Sequence, residues 1–481
     1  MVQRVGRGGD VDDVRGERPP TLGPSAPAGR LRAGAVGRLG STVFGVASTS
    51  PAYSLAVSVG LLVAAVGTAA PTALVLSAVP VVLVALCFRE LNRELPDCGT
   101  TYAWVQRALG PRAGAMAGWL TIAACLLVMA NLAQVSAVYA FDLVGASDLA
   151  GSRVAQAVAG AACLAGMAWL AYRGVQVAAR LQLVLVGFEL VALLWFAGRA
   201  LARADHLAWP TLQAGGEGGV GGWTTAFLAA VFLYWGWDSS FSTNEESDDP
   251  RRTPGAAALA ANAVLVLLYV VVTWSAISWS GADRLAAVAD DDFFAVLAGD
   301  LLGTTGGKVL VAAVLLSALA SAQTTILPTT RTMLSMGRDG VGSPRLADVS
   351  PRFGTPSTAT WVFTAVATAI YVLLVLLSDA VLADSVAATS VLVAAYYLAT
   401  SVATIRFPYA DGVGVRPLWR VVVPAVAALV FGTVLVLSAL DLSGVSLLVV
   451  AVSVVAGAPL VRSAGVPASS RPRPVPQEDH P

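Results

Sequence analysis

Charge is what this chain has least of. Asp, Glu, Lys and Arg make up 12% of its 481 residues, about half the share typical of soluble domains, and the mean hydropathy is +0.73. Composition therefore excludes a soluble globular domain and indicates an integral membrane protein. Lysine is nearly missing: Lys308 stands alone, and arginine carries the rest of the positive charge. The formal net charge is zero, so nothing calls for a nucleic-acid partner. The two histidines, His206 and His480, fall in a loop and in the C-terminal tail. That placement argues against a histidine-based metal or proton site in the membrane. Cys87, Cys125 and Cys163 lie in apolar runs and Cys98 in a loop, without metal-ligand spacing or the pattern of a disulfide framework. Paired intramembrane histidines, H-E-x-x-H and G-x-S-x-G are missing too. The composition thus calls for no metal, no cofactor and no intramembrane enzyme chemistry.

Long apolar runs are what the chain has most of. A helix crossing the hydrocarbon core needs about 20 mostly apolar residues. Twelve runs qualify: Leu39–Gly67, Thr72–Leu91, Ala113–Phe141, Ala155–Tyr172, Leu181–Ala200, Thr224–Thr243, Ala256–Ser280, Val309–Thr329, Thr358–Leu377, Val386–Ile405, Val421–Leu440 and Val445–Val461. Residues 1–36 are rich in Gly, Arg, Asp and Pro and are expected to form a disordered tail, without the short apolar core of a signal peptide. Residues 462–481, rich in Pro and Ser, are expected to form a second one. With the N-terminus in the cytoplasm, 25 of the 30 basic residues fall on the cytoplasmic side, and Arg153, Arg199, Arg203, Arg284 and Lys308 fall outside. This follows the positive-inside rule, and one miscounted span would scramble it. Both termini are therefore expected in the cytoplasm, on a multi-pass protein of the plasma membrane. The stretch Asp290–Asp300 is too short to cross, and its spacing suits an amphipathic helix on the outer face, either a lid or an inert surface helix.

Two runs are interrupted. In the first, Ser48, Thr49, Ser50 and Pro51 break the apolar pattern. Proline removes a backbone donor, and unpaired backbone survives in a bilayer only inside protein or beside a water-lined cavity. A simple kink with serines bonded back to the helix fits this stretch, and so does a binding site. The sixth run carries Tyr234-Trp235-Gly236-Trp237-Asp238 in its middle. Glycine costs about 1 kcal/mol in a helix, and a carboxylate in an apolar span costs about 2.5–3.5 kcal/mol on insertion scales. The two runs enter the membrane from opposite sides. Matching interruptions in oppositely oriented halves are the sequence sign of an inverted repeat with a midplane binding site. Freed amides would suit a carboxylate and freed carbonyls an ammonium, together a zwitterion. Interfacial packing of Trp235 and Trp237, and a place for Asp238 at the cytoplasmic end of the span, fit the same residues.

Three loops carry a family likeness. Phe88-Arg-Glu-Leu-Asn-Arg-Glu-Leu-Pro-Asp-Cys-Gly-Thr-Thr-Tyr102, followed by Gly110 and Gly118-Trp119, resembles the E-L, P-x-S-G-G-x-Y and G–W signature of the amino acid–polyamine–organocation (APC) superfamily. Pro96, Gly99 and Tyr102 match, while Cys98 and Thr100 replace the usual Ser and Gly. Glu246-Ser-Asp-Asp-Pro-Arg-Arg-Thr-Pro254 is similar to the family's E-x-x-x-P with a second Pro, one residue tighter. Arg331, Arg338-Asp-Gly340, Pro344 and Thr355-Pro356 are similar to its R…DG…P…TP pattern. The likeness covers about four-fifths of the chain. The G-x-x-x-D and G-R-[RK] loop of major facilitator proteins is absent.

The resemblance implies an all-α membrane fold of 12 transmembrane helices. Residues 37–405 would form a five-plus-five inverted repeat with helices 1 and 6 broken around the substrate, and residues 406–461 two further helices. It implies a secondary active transporter of amino acids or related amines, by proton-coupled symport or exchange. A sodium-coupled transporter and a ligand-binding sensor on the same fold are the alternatives. Ala47, Ser48, Thr49, Ser50, Tyr234, Gly236, Trp237 and Asp238 are the implied substrate residues, with Trp237 closing the site from outside. Small residues such as Gly-Ser-Gly usually occupy the first break, and here no glycine does. Glu189, isolated in the fifth run, aligns near a lysine of proton-coupled relatives and is a candidate proton carrier or a structural carboxylate. Ser317, Ser321 and Thr324 share one helical face and serve either a sodium site or close helix packing. Glu90 and Glu94, one turn apart, fit a cytoplasmic gate or a surface network with Arg89 and Arg93. Partners are then the amine or amino acid, a proton or sodium, and membrane lipid. Unless Asp238 faces the site it offers no complement for a charged side chain, which points to neutral amino acids.

Overall fold

A computed structural model describes residues 31–208, 219–288, 293–377, 379–409 and 417–464. Among the described residues there is no strand, only two isolated bridges, Val36 with Ser247 and Val349 with Pro356. The main helices are α1 (Arg38–Ser48), α2 (Pro51–Val66), α3 (Ala70–Glu94), α4 (Thr101–Leu109), α5 (Pro111–Val144), α6 (Arg153–Tyr172) and α7 (Val175–Ala202). They continue with α8 (Gly219–Leu233), α9 (Thr253–Ser280), α10 (Phe293–Arg338), α11 (Ser357–Leu377), α12 (Asp379–Arg406), α13 (Val423–Leu440) and α14 (Gly444–Ala456).

Among the described residues, ten helical stretches are long and apolar enough to cross a membrane, and α8 is a shorter apolar helix. One stretch, Arg38–Glu94, is 57 residues long. At 1.5 Å per residue it would reach about 85 Å, against a hydrocarbon core of about 30 Å. Gly67, at φ 57°, divides it before α3. The chain is thus a multi-pass membrane protein.

Helix ends follow local chemistry. Pro51 and Pro111 open α2 and α5 at the position where a missing N–H costs nothing. Ser152 caps α6 and Ser443 caps α14 through their side-chain oxygens. The loop after α3 contains α4, whose Trp104 and Tyr102 are fully buried. The expected amphipathic helix forms over Phe293–Leu302, and Gly303, at φ 73°, bends the chain into the rest of α10. Phe293, Phe294, Leu297 and Leu301 are buried, with Phe293 and Phe294 edge-on to Phe196 of α7 at 5.5 and 5.3 Å. Residues 290–292 lie outside the described residues.

The core lies between α1, α2, α3, α5, α7, α9 and α10. The Gly444–Ser463 stretch is peripheral, and Leu447, Leu448 and Val455 are exposed, as suits a lipid-facing surface. Residues 31–36, which composition assigns to the N-terminal tail, carry contacts. Val36 N–H donates to the Glu246 carbonyl (3.0 Å), and its own carbonyl accepts from Asp248 N–H (3.2 Å). Leu31 is buried beside Cys98 and Leu334.

Candidate functional site

The two interruptions meet. Between α1 and α2, Ser50 takes the left-handed conformation at φ 52°, uncommon for a residue with a side chain. Between α8 and the short helix Ser239–Ser242, Gly236 takes φ 125°. A Cβ on Gly236 would lie 2.5 Å from the Ser48 carbonyl oxygen and 2.8 Å from the Thr49 nitrogen. A second close approach holds the pair together: a Cβ on Gly45 of α1 would lie 2.5 Å from Ser240 Oγ and 2.9 Å from Ala261. Ser239 and Ser240 hydroxyls donate to the carbonyls of Phe44 and Ser41 (3.0 and 2.8 Å), pinning the start of the short helix to α1.

A cavity of about 70 Å³ lies at this junction. Ser48, Thr49, Ser50, Gly236 and Asp238 line it, with Tyr53, Asn131, Trp235, Ser321 and Tyr396. Among the described residues, Asp238 is the one acidic or basic side chain in the lining. Tyr396 donates to Asp238 Oδ2 (2.8 Å) and accepts from Trp235 Nε1 (2.5 Å). On the opposite side Tyr53 donates to Asn131 Oδ1 (2.5 Å).

Sequence alone does not anticipate Tyr396, Asn131 or Trp235 as lining residues. Asn131, one of two side-chain amides in its apolar run with Gln134, is a legible signal, because a polar group inside a membrane span asks for a reason. Ala47 is buried just behind the break. Tyr234 and Trp237 lie outside the lining. The Tyr234 hydroxyl donates to the Leu74 carbonyl of α3 (3.2 Å). Trp237 packs against Phe88 at 5.2 Å and stacks on Tyr397 at 5.7 Å. Of the two tryptophans beside Gly236, Trp235, one residue before it, lines the cavity, and Trp237, one residue after it, does not.

The backbone donors of the first break are already engaged. Thr49 N–H donates to the Val46 carbonyl (3.2 Å) and Ser50 N–H to the Ala47 carbonyl (3.1 Å). Proline supplies none, and Ala52 N–H donates to Glu189 Oε1 (2.5 Å). A carboxylate of the protein itself thus occupies the N-terminus of α2, where the helix dipole favours negative charge. Glu189 is fully buried. Its Oε1 also accepts from Ser317 (2.6 Å), whose oxygen lies 3.3 Å from Ser50 Oγ. Ser321 donates to the Ser48 carbonyl (3.0 Å). Among the described residues, Thr324 bonds only within its own helix, to the Ala320 and Ser321 carbonyls. Ser317 and Ser321 therefore reach the α1–α2 break and Thr324 does not.

Beside the cavity, toward the face where α1 begins, the three signature loops converge. Arg331 and Glu246 are fully buried and paired at 2.5 Å, and Arg331 Nη1 donates to the Leu327 carbonyl (3.1 Å). Arg338 pairs with Glu245 at 3.0 Å, and Glu245 accepts from Cys98 N–H (3.1 Å). Tyr102 donates to Asp339 (2.9 Å), and Ser335 to Asp97 (2.8 Å). Thr100, Thr101 and Thr332, next to these residues in sequence, line the cavity. Burial raises the Asp97 carboxyl above its ordinary range, against the pull of Gly99 N–H and Ser335, and Glu245 adds to the rise. Burial also pushes the Cys98 thiol well up. Asp97, Cys98 and Glu245 have the proximity of metal ligands. A metal needs the thiolate, which burial disfavours, and Arg338 already occupies Glu245, so the cluster is read as an ion-pair network. Glu90 lies apart from the cavity, bridged to Arg89 (3.2 Å) and Arg93 (3.0 Å), and Glu94 pairs with Arg420 (2.9 Å).

A model of the amino acid permease family matches residues 40–458. The chain belongs to this family. Among similar proteins, the branched-chain amino acid permease BcaP of Bacillus subtilis is 26% identical over 306 residues, 60% of this chain and 64% of that protein. The methylthioribose transporter of the same organism is 24% identical over 315 residues, 61% of this chain and 65% of the other. Asc-type amino acid transporter 1 of Mus musculus is 25% identical over 293 residues, 58% and 53% of the two. Each match spans less than two thirds of the relative's length. Arg331, Glu246 and Tyr102, from three loops far apart in the sequence, are all buried where these loops converge.

Proposed function

We propose that the chain is a secondary active transporter of amino acids or related amines, working by alternating access in the plasma membrane with both termini in the cytoplasm. The observation that carries this reading is the contact of the two interrupted runs, with Gly236 against the Ser48–Thr49 peptide at a polar cavity. Broken helices at a shared internal site are what an inverted-repeat carrier needs. The reading counts α1–α2 as the first of twelve spans, α8 with Ser239–Ser242 as the sixth, and α13 and α14 as the last two. The Arg331–Glu246 network then closes the cytoplasmic side. Relatives named as amino acid permeases support the substrate class, and the methylthioribose transporter marks how far it ranges. A thermal-shift panel of amino acids and polyamines on the purified protein, followed by uptake into proteoliposomes, tests the proposal. Saturable binding without flux under any gradient would establish the sensor reading instead.

Proton coupling through Glu189 is favoured over sodium coupling by one arrangement. Ser317 and the Ala52 amide hold the carboxyl group against the end of α2. Gain and loss of its proton would change the charge at the N-terminus of a half-helix next to the substrate. Glu189→Gln is expected to abolish the stimulation of uptake by an inward proton gradient, with a far smaller effect on equilibrium binding. Uptake with the wild-type pH dependence would assign Glu189 a structural role.

A further inference from the structure

The lining offers an anion hydroxyls and the Asn131 amide but no charged donor, and it contains one carboxyl group, Asp238. Thr49 and Ser50 amides are bonded within the break, and the Ala52 amide holds Glu189. Among the described residues, neither arginine, lysine nor histidine lines the cavity. A substrate carboxylate entering here would meet uncharged donors only, with the N-terminus of α2 already held by Glu189. Asp238 lines the same space, and its carboxyl group accepts from the Tyr396 hydroxyl and from the backbone N–H groups of Asp238 and Ser239, all uncharged donors. An ionised carboxylate away from water is costly unless a cation pairs with it. Trp235 and Tyr396 stand beside Asp238, tied by the Trp235 Nε1 hydrogen bond. Aromatic faces next to a carboxylate make a favourable surround for an ammonium group.

We propose that this site selects a cationic amine, an amino acid with a positively charged side chain or an amine without a carboxylate, through pairing of its ammonium group with Asp238. The inference rests on the transporter reading and narrows its substrate class. It also reverses the expectation of neutral amino acids, which held only if Asp238 faced elsewhere. Tyr396 is the positioning residue: its hydroxyl holds one carboxylate oxygen and leaves the group aimed at the cavity.

Equilibrium binding of lysine, cadaverine and leucine to the purified full-length protein tests the proposal. The wild type is expected to bind lysine and cadaverine at least about tenfold more tightly than leucine. Asp238→Asn keeps the shape and an acceptor for Tyr396, and is expected to lower that preference at least about tenfold. Tyr396→Phe shifts it in the same direction by less. If Asp238→Asn does not fold, the wild-type preference and the Tyr396→Phe shift decide. Leucine bound with lysine and cadaverine excluded overturns this inference and leaves the transporter reading standing, as does an unchanged preference in Asp238→Asn. Failure of all three probes, and of the wider amino acid and polyamine panel, overturns both.

Discussion

Gly236→Leu is expected to abolish ligand binding while the protein still folds. The backbone at Gly236 sits at φ 125°, where side chains are strained, and its missing Cβ faces the Ser48 carbonyl at 2.5 Å. That neighbour is backbone, so no rotamer change relieves the overlap. A leucine must push α8 away from the α1–α2 break, and the cavity lies between them. Any ligand that raises the thermal stability of the wild type in the amino acid and polyamine panel should fail to do so for the variant. The expected loss of affinity is about a hundredfold or more, roughly 2.8 kcal/mol. Gly236→Ala brings the same first clash without the bulk and should fall between the two. Wild-type affinity in Gly236→Leu, with an unchanged elution volume, would move the binding site away from the junction.

Arg331→Met should be the most destabilising single change on the signature loops. Arg331 and Glu246 have no exposed surface and lie 2.5 Å apart. Removing one partner of a buried pair leaves an uncompensated charge, at a cost of about 3–5 kcal/mol. The damage should spread, because the Glu246 carbonyl also accepts from Val36 at the start of the chain's described part. Arg331→Met is expected to lower the Tm by several degrees and Glu246→Leu likewise. The double variant should recover much of the loss, since two apolar groups can replace a buried pair at little net cost. Strictly additive losses in the Tm would show that the two side chains are not energetically coupled.

Residues of the same kind were legible in sequence to different degrees, and the physical reason differs each time. The interruptions at Ser48–Pro51 and Gly236 were legible because a bilayer punishes broken helices, so proline, glycine and carboxylate in an apolar run need a cause. Trp235 and Trp237 looked equivalent. Their different roles come from the turn between α8 and Ser239–Ser242, where Gly236 takes φ 125°: Trp237 lies against Phe88 and Tyr397, and Trp235 lies on the cavity. Glu189 was legible as an isolated carboxyl group. That it occupies the N-terminus of α2, 137 positions away in sequence, depends on how α7 packs against the break. Arg331 and Glu246 were legible as parts of two separate loop patterns, and their pairing required both loops to reach one place.

The sequence by itself determined the class: low charge and repeated apolar runs of spanning length leave a multi-pass helical membrane protein, and the asymmetry of arginine points to its orientation. It also determined where the helices break, because local backbone chemistry at Pro51 and Gly236 acts over only a turn or two. Only the tertiary structure decided what those breaks offer a ligand. The donors at Thr49, Ser50 and Ala52 are consumed by partners, one of them a glutamate on another helix, while the carboxylate of Asp238 faces the cavity. Hydrogen-bond capacity at a site is set by which groups meet there, and that meeting is a property of packing between distant segments.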